Sequence, residues 1–226
     1  MKALVLFSGG LDSSTCLAMA IEKYGRENVL ALSISYGQKH QKEINAAKAV
    51  AEHYGVQLIT LDLARIFEGS DCALLEGSQQ DIPKGEYAGQ LESTDGKPVS
   101  TYVPFRNGLF LSCAASVALS RGCDVIYYGV HSDDAAGSAY PDCSSDFNSH
   151  ISKAISIGSG EQLRVEAPFV ELTKADVVAQ GLRLGVPYEL TWSCYEGGEK
   201  PCGCCGTCID RAKAFAANGV SDPALS

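Results

Sequence analysis

No apolar run in this sequence approaches the ~20 residues a helix needs to cross a bilayer, so no membrane partner is expected. There is no long basic run either: 18 Lys and Arg stand against 27 Asp and Glu, a net charge of −9. Nucleic-acid binding rests largely on cations that neutralise phosphates, so this acidic chain is a poor candidate for gripping tRNA or DNA. Neither Gly-x-x-x-x-Gly-Lys-Ser/Thr nor Gly-x-Gly-x-x-Gly occurs, which removes the ordinary P-loop and the dinucleotide fingerprint. No cleavable leader is expected either, since the sequence opens directly on a core-type strand. The cytoplasm is the expected compartment.

Cysteine is the opposite case. Ten are present, and five of them, Cys194, Cys202, Cys204, Cys205 and Cys208, fall within fifteen positions. In a reducing compartment such clustering reads as metal binding rather than disulfides. Cys205-x-x-Cys208 has knuckle spacing, and Cys194 and Cys202 supply two more thiolates. Four thiolates fill a tetrahedral zinc site and leave no place for water, so the ion would be structural. An iron–sulfur cluster is the rival. Adjacent Cys204 and Cys205 rarely serve one tetrahedral ion together, so one of them is spare.

The strongest pattern stands at the start. The apolar run from Lys2 to Phe7 ends in Ser8-Gly9-Gly10-Leu11-Asp12-Ser13-Ser14-Thr15, and helical spacing follows through Leu17, Ala18 and Ile21. A buried strand that feeds a helix through two glycines brings several N–H groups and the positive end of the helix dipole to one point. The hydroxyls of Ser8, Ser13, Ser14 and Thr15 add donors, so the turn reads as a phosphate cradle. Asp12 inside it makes sense if N–H groups cap the carboxylate or if it holds magnesium. A tight strand–helix turn capped by Ser or Asp is the plain alternative.

Strands at 29–36 and 56–63 enclose a helix over 39–54 that Gly55 closes. This β-α-β-α-β order predicts an α/β fold: a doubly wound, mostly parallel sheet with helices on both faces. Ligands in such sheets bind outside the carboxyl ends of the strands. Residues 64–103 break the rhythm with Gly, Ser, Asp, Gln, Lys and Pro. A long stretch without apolar period suggests a lid over the nucleotide or an oligomer contact, with plain structureless disorder as the alternative. Val103-Pro-Phe-Arg-Asn-Gly108 then opens a helix. A cation at a helix N-terminus is electrostatically wrong unless an anion is present, so Arg106 and Asn107 are expected at the ligand. A fourth strand over 124–130 delivers His131, which reads either as a packed ring or as a site residue. Asp142 looks like the N-cap of a helix over 143–157. A fifth strand falls at 162–169, and Thr173 caps a helix that starts at Lys174 and closes at Gly185.

The Ser-Gly-Gly-x-Asp-Ser turn resembles the pyrophosphate loop of the N-type ATP pyrophosphatases, which split ATP between its α and β phosphates and adenylate a substrate. Val103-Pro-Phe-Arg-Asn107, Tyr140-Pro-Asp-Cys143, Leu172-Thr-Lys-Ala175, Thr191-Trp-Ser-Cys-Tyr195 and the cysteine-rich end follow in order. Together, from Leu4 to about Ala212, they resemble the 7-cyano-7-deazaguanine synthase family. The resemblance implies an adenine nucleotide α-hydrolase-like domain over 1–190, with 64–103 as lid or insertion, and a zinc-binding region over 191–226. It implies a ligase forming C–N bonds in queuosine biosynthesis, which uses ATP with magnesium, 7-carboxy-7-deazaguanine and ammonia. A homodimer is expected.

The same resemblance assigns residues. Phe7, Ser8, Gly9, Gly10, Leu11, Asp12, Ser13, Ser14, Thr15, Cys16 and Leu17 form the ATP-binding segment. Asp12, Arg106 and Lys174 are the implied catalytic residues, and Asn107 and Asp142 the implied substrate contacts. Cys194, Cys202, Cys205 and Cys208 are the implied ligands of one structural zinc, with Cys204 as the spare. A pyrophosphatase that thiolates tRNA is the alternative, and the acidic balance argues against it. A zinc-ribbon module without catalysis would leave the cradle unused.

Overall fold

Alternate residues of the first strand serve two different cores. Ala3 and Val5 pack with Val29, Ala31, Val125 and Tyr127, whereas Leu4 packs with Leu30, Leu32 and Ile126. That two-residue alternation requires a layer on each face, and burial on both faces is why these strands read as unbroken apolar runs. The computed structural model describes residues 1–92, 94–95 and 97–225. Five strands, β1 (Ala3–Leu6), β2 (Val29–Ser35), β3 (Gln57–Asp62), β4 (Val125–Tyr127) and β5 (Arg164–Glu166), form one sheet in the order β3-β2-β1-β4-β5. Every pairing is parallel, with Ala3 level with Val29 on one side and with Val125 on the other. The doubly wound sheet is therefore present, and its order reverses at β1.

The helices are α1 (Leu11–Tyr24), α2 (Lys42–Tyr54), α3 (Tyr87–Glu92), α4 (Arg106–Ser120), α5 (Ser132–Ala135), α6 (Ser145–Gly158), α7 (Lys174–Leu184) and α8 (Gly206–Ala217). Apolar residues of α1, α2, α7 and α8 cover the Ala3/Val5 face, and those of α4 and α6 cover the Leu4 face. Thr173 closes a reciprocal capping box with Asp176 at the start of α7. At α6 the expectation fails: Ser144 is the cap, its Oγ accepting from Phe147 N, and Asp142 lies in the short turn before it.

The stretch 64–103 is not structureless. It carries a 3₁₀ turn over 64–67 and helix α3. Cys72, Ala73, Leu74, Leu75 and Val99 are buried. Lys39 N donates to Leu74 O at 2.9 Å, and Gly85 N to Cys204 O at 2.9 Å. These bonds join it to residues distant in sequence, which is why no local period announced it. Ser93 and Gly96 lie outside the described residues. Among those described, no helix is long and apolar enough to cross a membrane.

Candidate active site

The cradle is held by its own hydroxyls. Ser8 N donates to Ser13 Oγ at 3.2 Å, and Gly10 N donates to Ser8 Oγ at 3.2 Å. Gly9 has φ +80°, and a Cβ there would stand 2.3 Å from Ala47 N. The first glycine thus lets α2 close against the turn, while Gly10 lines the cavity. Gly129, just past β4, was not anticipated: a Cβ there would lie 2.9 Å from the Asp12 carbonyl carbon. It brings two strand ends together at the point where the sheet order reverses, the usual place for a ligand in such folds.

Asp12 and Lys174 meet across this point, Nζ to Oδ2 at 2.9 Å. Burial pushes the Asp12 carboxyl up, but Lys174 and then His131 outweigh it and hold the group below its ordinary value. Burial pushes Lys174 down, and Asp12 with Asp134 reverses that. Both are charged at neutral pH. His131 Nε2 lies 3.1 Å from Lys174 Nζ, 3.3 Å from Asp134 Oδ2 and 3.7 Å from Asp12 Oδ1. His131 is a packed ring, fully buried and absent from the cavity lining, that touches the lining residues Asp12, Asp134 and Lys174. Asp134 was missed altogether, although both residues follow a parallel strand whose carboxyl end faces the cradle.

The start of α4 forms the opposite wall. Asn107 N donates to Asp142 Oδ2 at 2.8 Å, and Asn107 Nδ2 donates to Asp142 O at 3.1 Å. Asp142 is buried, does not line the cavity and spends its carboxylate on the first turn of α4, where a negative charge suits the helix dipole. Arg106 faces the cavity, its guanidinium 5.8 Å from the Tyr36 ring centroid. Burial pushes Arg106 down, while Tyr36, Cys143 and Asp142 raise it, so it stays a cation. Glu43 shares this wall, and burial pushes its carboxyl up to about 7 against the pull of Arg106.

Of the residues assigned from sequence, Phe7, Ser8, Gly10, Asp12, Ser13, Arg106, Asn107 and Lys174 line one cavity. Gly9, Leu11, Ser14, Thr15, Cys16, Leu17 and Asp142 do not line it. Leu11, Ser14, Thr15, Cys16 and Leu17 are fully buried inside the fold. The Thr15 hydroxyl, counted as a phosphate donor from sequence, is bonded to Leu11 O and to the Tyr188 hydroxyl.

The cysteine-rich end reaches the same cavity. Trp192 N donates to Gly9 O at 3.1 Å. The Tyr195 hydroxyl lies 2.8 Å from that of Tyr87 and 3.3 Å from that of Tyr140, so three segments distant in sequence share one wall. Arg211 holds this end in place: it chelates Asp222 at 2.7 and 2.9 Å and donates to Tyr188 O at 3.1 Å. The sulfurs of Cys194, Cys202, Cys205 and Cys208 all lie within 4.8 Å of one another. Thiolates about 2.3 Å from one zinc would stand about 3.8 Å apart, so the set fits a tetrahedral ion. Backbone N–H groups of Cys202 and Glu196 point at Cys194 Sγ from 3.3 and 3.4 Å, as thiolate charge favours. Cys204 is exposed and outside the set.

A polyanion can therefore lie along the cradle under Lys174, with an organic acid across from it at Arg106. The family model described as queuosine biosynthesis protein QueC matches residues 2–219. The 7-cyano-7-deazaguanine synthase of Archaeoglobus fulgidus is 44% identical over 100% of this chain and 90% of its own length. The synthase of Thermoplasma acidophilum is 43% identical over 98% of this chain and 90% of its own. That of Caldicellulosiruptor bescii is 40% identical over 99% and 96%.

Proposed function

We propose that this chain, which belongs to the QueC family of queuosine biosynthesis proteins, converts 7-carboxy-7-deazaguanine and ammonia into 7-cyano-7-deazaguanine with ATP. A carboxylate cannot expel oxide when ammonia attacks at neutral pH. Its oxygen instead attacks the α-phosphorus of ATP, pyrophosphate leaves, and an acyl adenylate forms. Ammonia displaces AMP and loses a proton, which gives the amide. The amide oxygen attacks a second ATP with loss of pyrophosphate and one proton. Loss of AMP and the remaining nitrogen proton leaves the nitrile. Positioning and charge stabilisation carry both halves.

Ser8, Gly10 and Ser13 would hold the pyrophosphate, and Lys174 would meet the α-phosphate. Arg106 would meet the substrate carboxylate, with Asn107 at the edge of the base. Asp142 acts one step removed, by fixing the first turn of α4. Magnesium would sit with Asp12 Oδ1, which is buried with no hydrogen-bond partner among the described residues, and would screen phosphate charge. One structural zinc would take the four thiolates. The stretch 64–103 would close over the nucleotide; less proteolysis there on adding ATP and the acid supports this, and unchanged cleavage counts against it. A homodimer in the cytoplasm completes the picture, the ten free cysteines suiting a reducing compartment.

The reading rests above all on the single cavity that joins the cradle to Arg106. Thiolation of tRNA is not favoured, since the relatives are named as synthases. Incubation with the deazaguanine acid, ATP and ammonium should give nitrile and AMP by mass spectrometry. Orthophosphate and ADP in place of AMP would overturn the reading.

A further inference from the structure

We propose, resting on the reaction above, that His131 is a positioning residue: its Nε2 accepts from the Lys174 ammonium, holds it against Asp12 and aims it into the cavity. Nζ lies 2.9 Å from Asp12 Oδ2 and 3.1 Å from His131 Nε2. An ammonium carries donors and no acceptor, so in a hydrogen bond between the two Nε2 accepts and the ring proton belongs on Nδ1; the Asp134 carboxylate, 3.3 Å from the same nitrogen, is the competing partner. The charged groups around the ring come from four elements: Asp12 on α1, Asp134 on α5, Lys174 on α7 and Asp210 on α8. The three carboxylates favour the ammonium at their centre.

Nδ1 supplies a second, independent observation. It is buried with no hydrogen-bond partner among the described residues, in a side chain only 1% exposed. Buried polar atoms are nearly always paired, and a ring kept only to fill space has no reason to strand one. A ring kept for Lys174 does have a reason. Two of the three ammonium N–H bonds then go to fixed acceptors, and the third is left for a phosphate oxygen. Without Nε2, the flexible lysine stem loses one of its two anchors.

Three variants and one spectrum test this. His131→Leu removes the acceptor, His131→Gln returns an amide near Nε2, and His131→Asn returns one near Nδ1. AMP release gives kcat and KM, and calorimetry gives Tm. His131→Leu should lower kcat about 100-fold, the loss typical of one preorganised polar contact, with KM for ATP little changed. His131→Gln should recover to within about tenfold of the parent, and His131→Asn should stay near the leucine variant. Parent-like kcat in His131→Leu overturns the inference, and so do losses that follow Tm alone. If the leucine variant does not fold, equal activity of the glutamine and asparagine variants overturns it. ¹⁵N NMR of the labelled histidine ring is read independently of turnover. A proton on Nδ1 with a bare Nε2 supports the inference, and a proton on Nε2 overturns it even if the parent makes no nitrile.

Discussion

Asp12 and Lys174 keep each other charged inside the fold. Lys174→Met leaves a largely buried carboxylate unpaired, and about 3–5 kcal/mol of stability should go with it, read from urea denaturation. Adding Asp12→Asn should restore much of the stability and none of the turnover. The pH window follows from the two directions. The Asp12 carboxyl is held below its ordinary value, so its contribution is present above about pH 4 and fades as pH falls through the folded value. The Lys174 value is raised, so its contribution is present below about pH 10.4 and fades as pH rises past it. The stability gap between parent and double variant should be flat between these limits and narrow outside them. Glu43 has the opposite sign. With its carboxyl near 7, the folded chain keeps a proton that the unfolded chain loses near 4.3, so stability falls as pH climbs between those values. Glu43→Gln should raise the urea midpoint at pH 8 by the equivalent of about 3–4 kcal/mol, and leave it unmoved at pH 4.

Among the elements, the first turn and α2 meet with no room to spare. Gly9→Ala should drive Ala47 away from the turn, raising KM for ATP and lowering Tm together. Loss of stability alone would show that the turn tolerates the shift. Much of this layer was legible in sequence. β1, β2 and β4 announced themselves because both faces are buried, and α1, α2 and α7 because their start or stop residues are local chemistry: Gly10, Gly55, and Thr173 with Asp176. Non-local choices were hidden. Asp142 and Ser144 both suit an N-cap, and only the approach of α4 decides that Asp142 serves Asn107. Residues 64–103 take their shape from Gln38, Lys39 and Cys204, far off along the chain. In the cradle, sequence marked the right turn but not which hydroxyls face inward; Ser13 lines the cavity while Thr15 bonds Tyr188.

Over the whole molecule, the metal end and the nucleotide end form one structure. Trp192 N on Gly9 O and Gly85 N on Cys204 O tie the cysteine loop to both the cradle and the 64–103 stretch. Structural zinc contributes ~10–16 kcal/mol in small peptides, as much as the ~5–15 kcal/mol that holds a domain together. A strong chelator should therefore strip hydrogen-exchange protection after Leu190 and abolish AMP release, with both returning on addition of zinc. Retained protection in the metal-free protein would contradict a folding role for the ion.

The chain's lone tryptophan stands at this junction. Its indole N–H donates to Cys194 O at 2.8 Å, its ring lines the cavity, and Lys42 Nζ lies 5.2 Å from the ring centroid. A single native fluorophore thus borders both centres, so its emission could follow nucleotide arrival and chelation in one cuvette, without a label.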